Sequence, residues 1–112
     1  DSYATEADLR RAYGDRSELL DASIRASVLS LQNLHQSLLS LLSHAADDEL
    51  SDKPVAKPRR DAIRSQHAEL MKQERILAEQ RADRTALDAE LADAVRRYRA
   101  LKHADAPPPE TP

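Results

Sequence analysis

The chain has 112 residues with one Gly, no Cys, no Phe and no Trp; a third of it is charged, and its net charge is −3. This length suits one small domain. The lack of Cys excludes a disulfide framework and thiolate metal sites, and the slightly acidic balance argues against a nucleic-acid partner. Ala, Leu and Arg are the commonest residues, all strong helix formers, with Glu and Gln adding to them. Val and Ile are too few for a sheet of ordinary size, and no window alternates apolar and polar residues cleanly. The composition predicts an all-α chain. It begins at Asp1 rather than Met, which reads as a fragment or a processed product.

Residues 1–14 read as a short N-terminal helix or as an extension of the next one. Thr5 with Asp8 three residues later can start a helix, and Gly14 can stop it. Carrying the helix through Gly14 instead costs about 1 kcal/mol relative to Ala. Asp15 with Glu18 offers a fresh capping box. Both readings are compatible with the residues.

Residues 15–46 read as helix 1. Leu20, Ile24, Ser27, Leu31, Leu34, Leu38 and Leu41 recur at alternating steps of four and three, the seam of a coiled coil. Val28, Leu29, Leu39 and Leu42 lie off that line, so the apolar face is wider than one seam. No formal charge occurs from Ala26 to Ala46. A membrane span is not expected there: spanning takes about 20 predominantly apolar residues, and this window holds Gln32, Asn33, His35, Gln36 and several serines.

Residues 47–58 read as a loop. Pro54 and Pro58 follow an acidic and polar run, and each ends a helix or biases its neighbour to extended backbone. Residues 59–104 read as helix 2. Here Ile63, Leu70, Leu77, Arg84, Leu91 and Tyr98 stand seven apart. A sustained repeat of seven is the mark of a helix that wraps another helix. A second column, three residues further on, runs Gln66, Gln73, Gln80, Leu87, Ala94 and Leu101. Residues 105–112, with four prolines, read as a disordered tail; Pro107–Pro109 could adopt polyproline II, a weak signal.

Two long helices joined by one loop imply a long antiparallel, coiled-coil-like hairpin. A turn centred near residue 52 pairs residues whose numbers sum to about 102–105, within one helical turn. The seam expected from this register comprises Leu20, Ile24, Leu31, Leu34, Leu38 and Leu41 on helix 1. On helix 2 it comprises Ile63, Leu70, Leu77, Leu87, Leu91, Tyr98 and Leu101. The widest apolar face of helix 1 then lies beside Gln66 and Gln73, where helix 2 is least apolar. Helix 2 cannot cover Val28, Leu29, Leu39 and Leu42 as well as the seam. Burying those four side chains is worth roughly 6–12 kcal/mol as an upper bound, comparable with the stability of a small domain. They are therefore the expected partner-binding residues, and the hairpin is expected to join a multi-helix bundle formed with partner chains.

Other constellations each have a simpler reading beside the functional one. Arg84 interrupts the apolar column and falls near Glu18 or Asp21; it either pairs with one of them and fixes the register, or runs its stem along the seam with its head in water. The three glutamines at heptad spacing are either pairing determinants or a seam that widens to solvent. Lys53, Lys57, Arg59, Arg60 and Arg64 cluster about the turn and could bind an anion. Arg59 and Arg60 suit a helix N-terminus poorly, because that end prefers acids. His35, His44, His67 and His103 lack the spacing of a metal site. Arg96, Arg97, Arg99 and Lys102 suit the C-terminal end of their helix.

No phosphate loop, nucleophile elbow or carboxylate pair set in a cleft is present, so no enzymatic activity, cofactor, metal or small-molecule substrate is expected. The chain reads as a non-catalytic structural or protein-interaction subunit of a larger assembly, intracellular (cytoplasmic or nuclear), whose partners are other helical chains, with a hetero-complex expected over a homo-oligomer. Two alternatives stand: a nucleic-acid- or phosphate-surface-binding accessory using the turn cluster, and a small helical chaperone for an exported client.

Overall fold

The computed structural model describes residues 4–105. Residues 1–3 and the proline-rich segment from residue 106 onward, with the expected polyproline stretch, lie outside the described residues. Among the described residues, two α-helices account for the fold: α1, Glu6–Leu50, and α2, Lys57–Asp105. The expected class, an all-α antiparallel two-helix hairpin, is the one observed.

α1 starts where a cap is available. Thr5 Oγ1 accepts a hydrogen bond from the Asp8 backbone N–H at 3.0 Å, and Glu6 and Asp8 place acid charge in the first turn, both favourable at a helix N-terminus. The helix then runs through Gly14 without a break, so residues 6–14 extend it rather than form a helix of their own.

α1 also continues past residue 46, through Asp47 to Leu50. Its end is a left-handed cap: Asp52 has φ 56°, its N–H bonds the Glu49 carbonyl at 3.1 Å, and the Lys53 N–H reaches the Asp48 carbonyl at 2.8 Å. This is the Schellman pattern, with Asp in the place usually held by Gly. Pro54 follows, where the chain can no longer be helical. α2 begins at Lys57, two residues before Arg59, because Pro is tolerated within a first helical turn. The predicted loop 47–58 therefore shortens to residues 51–56, since the acidic run is absorbed into α1.

The chain divides into two compact units, Asp1–Asp21 with Ala82–Pro112 and Ala22–Arg81. In the first, Leu9, Leu87 and Val95 are buried, with Leu20, Leu91 and Tyr98 half-buried. The partners Glu6–Arg99 and Asp21–Arg84 set an antiparallel register in which residue numbers sum to 105. In the second, Leu38, Leu70, Leu77 and Ser27 are buried, and the seam positions Ile24, Leu31, Leu34, Leu41 and Ile63 are half-buried. Partners here, Ser27–Gln80 and Asp48–Arg59, sum to 107. This lies two beyond the predicted range, because the shortened loop moves the centre of the turn from residue 52 to between 53 and 54.

One expected seam residue falls outside. Leu101 is 67% exposed, because its register partner would be residue 4, before α1 begins. Leu9 and Val95 are buried although neither stands on the predicted seam. Val95 lies eight residues after Leu87 and takes the place that a strict repeat of seven gives to Ala94, the direction in which the apolar line of a straight helix drifts.

Candidate interaction surface

The four residues expected to bind a partner lie in the second unit. Leu29 is 61% exposed, Leu39 54% and Leu42 45%, whereas Val28 is half-buried. They do not make one patch. At about 100° per residue, Leu39 and Leu42 stand about 60° apart with Val28 between them, and Leu29 points about 100° away from Val28. Leu29 instead borders a shallow groove with Leu34, Asn33, Gln66 and Glu69. Leu50 and Met71 are further exposed apolar residues of this unit that the sequence reading did not single out. Leu50 stands between Glu49 and Ser51, and Met71 falls one residue past the seam position Leu70, so neither lies on a predicted apolar line.

The three glutamines separate. Gln80 Oε1 accepts a hydrogen bond from Ser27 Oγ at 2.7 Å across the helix pair, so the buried hydroxyl is satisfied. Gln73 Nε2 donates to Glu69 Oε1 at 3.0 Å within α2. Gln66 Oε1 is buried without a hydrogen-bond partner; such an acceptor carries a desolvation cost that a donor from outside could relieve.

Arg84 does not hold its head free in water. Its Nε donates to Asp21 Oδ1 at 2.9 Å and its Nη1 to Asp88 Oδ1 at 2.7 Å. Those two carboxylates, Asp88 first, hold the guanidinium more firmly protonated than usual. Glu18 is exposed and takes no part. Arg16 meets Glu90 at 3.5 Å, and Arg99 donates to Glu6 at 2.7 and 3.2 Å. The hydrogen bond from Arg99, then that from Arg10, holds the Glu6 carboxyl below its usual range.

The turn cluster is divided as well. Arg59 donates to Asp48 and reaches the His44 carbonyl at 3.4 Å. Acids at the end of α1 and bases at the start of α2 each oppose their own helix dipole, and facing each other across the turn offsets that cost. Arg64 lies 4.0 Å from Asp61. Among the described residues, Lys53, Lys57 and Arg60 make no ion pair, leaving three of the five expected cations unengaged.

Among the described residues no helix is long and apolar enough to cross a membrane, and no group of three or more His, Asp or Glu side chains is placed to hold a metal ion. No family model, curated protein or solved structure matches the chain.

Proposed function

We propose that this protein is a non-catalytic structural and interaction subunit that docks helical partner chains through the apolar side of α1. The observation that supports this most is the exposure of Leu39 and Leu42 on one face within the uncharged window Ala26–Ala46, in a chain of which a third is charged. Water-facing leucines without neighbouring charge are what an association surface needs. The engagement of Arg59 by Asp48 weakens the anion-binding alternative.

The test is affinity capture from the native source with the wild type and with a Leu39→Asp, Leu42→Asp variant, at low and high salt. A partner that survives high salt and is lost with the variant supports the reading. Recovery of the same proteins by both chains overturns it, as does binding that falls steeply with salt in the manner of phosphate contacts.

A further inference from the structure

The exposed residues of α1 contain a second line, separate from the one facing α2. Val28, Gln32, His35, Leu39, Leu42 and Ala46 recur at alternating steps of four and three. All but Val28 are exposed, and Val28 is half-buried. This is the spacing of a helix-pairing seam. Leu29 is not on it.

The ends of this line carry opposite charges. One step before Val28 stands Arg25, and one step after Ala46 stands Glu49; both are exposed, and among the described residues neither makes an ion pair. Between them the window Ala26–Ala46 has no formal charge. A line that is basic at one end, acidic at the other and neutral between complements itself only when reversed. Parallel pairing would set Arg25 against Arg25 and Glu49 against Glu49.

We propose that the occupant of this face is a second copy of the chain, packed antiparallel about a two-fold axis near residue 37. In that register Arg25 meets Glu49 of the second copy, Val28 meets its Ala46, and His35 meets its Leu39. Each contact occurs twice, as a two-fold axis requires. This rests on the docking reading above and names the partner, taking it to be a second copy where the sequence alone favoured a different chain. With two polar positions in the seam, the association is of modest strength.

The test is sedimentation of the full chain across the micromolar range, with helicity followed by circular dichroism. The wild type is expected to dimerise. Leu39→Asp is expected to abolish the dimer while leaving helicity unchanged, since Leu39 faces water in the single chain. Arg25→Glu and Glu49→Arg are each expected to weaken the dimer by about tenfold, and the double reversal to restore it. A wild type that stays monomeric at high micromolar concentration overturns the proposal. So does a dimer in which the double reversal is no better than the singles. Either result leaves the docking reading standing if capture of a different helical chain still depends on Leu39 and Leu42; that reading fails on its own when capture is indifferent to them.

Discussion

The two units solve the same problem, two helices side by side, with different means. The unit of Asp1–Asp21 and Ala82–Pro112 buries Leu87 to 2% exposure and holds its helices together with three long-range ion pairs, Asp21–Arg84, Arg16–Glu90 and Glu6–Arg99. The unit of Ala22–Arg81 has a buried hydroxyl, Ser27, on its seam, and leaves Leu29, Leu39, Leu42, Leu50 and Met71 facing water. Charge at the edges lets a narrow apolar seam suffice in the first. The first exposes two leucines, Leu19 and Leu101, against the second's five large apolar side chains, and apolar surface beyond what a helix pair covers favours association.

The sharpest way to break this comparison is truncation. Leu87→Ala should cost about 3 kcal/mol, because Leu87 is buried to 2% exposure and loses its contacts across the helix pair, whereas Leu29→Ala should change stability by no more than about 0.5 kcal/mol; urea denaturation of both variants checks this. Equal losses would mean the second unit is no more open than the first.

Polar contacts give the next largest effect. Ser27→Ala leaves Gln80 Oε1 without its donor and should cost about 1 kcal/mol, independent of salt. A double-mutant cycle on Asp21 and Arg84 should give a favourable coupling that shrinks as salt is added, because both partners are partly exposed. Salt titration of both sets of variants separates the two kinds of cohesion.

Backbone substitutions come third and act in both units. Nothing lies within 4 Å of a Cβ built on Gly14, so Gly14→Ala should stabilise by about 0.5–1 kcal/mol. Asp52→Gly should stabilise by about 0.5 kcal/mol by relieving the left-handed φ, net of the entropy Gly adds to the unfolded chain. Thermal melts decide both.

The smallest effect concerns pH. Glu6 has its carboxyl pKa lowered by Arg99 and then Arg10, so its contribution is present at neutral pH and is lost as pH falls through the depressed folded value. The difference in melting temperature between the wild type and Glu6→Gln should therefore shrink on acidification. A difference that grows would reverse the sign of the Glu6–Arg99 interaction.

Much of this was legible in the residues. The columns from Leu20 to Leu41 and from Ile63 to Tyr98 specify two helices and the faces they share, because a repeat near 3.5 can bury one stripe and no more. The break near Pro54 gives the reversal of direction, since a residue without an amide donor cannot continue a helix. The excess of leucine between residues 28 and 42 was visible for the same reason. What tertiary structure decided was finer. The left-handed cap at Asp52 set where α1 stops, and so moved the register of the second unit by two residues. In the first unit the register gave Arg84 to Asp21 rather than Glu18, and left Leu101 without a facing helix. Among the four expected partner residues, tertiary structure half-buried Val28 and left Leu29, Leu39 and Leu42 facing water, because burial depends on what the second helix covers and not on the spacing along the first.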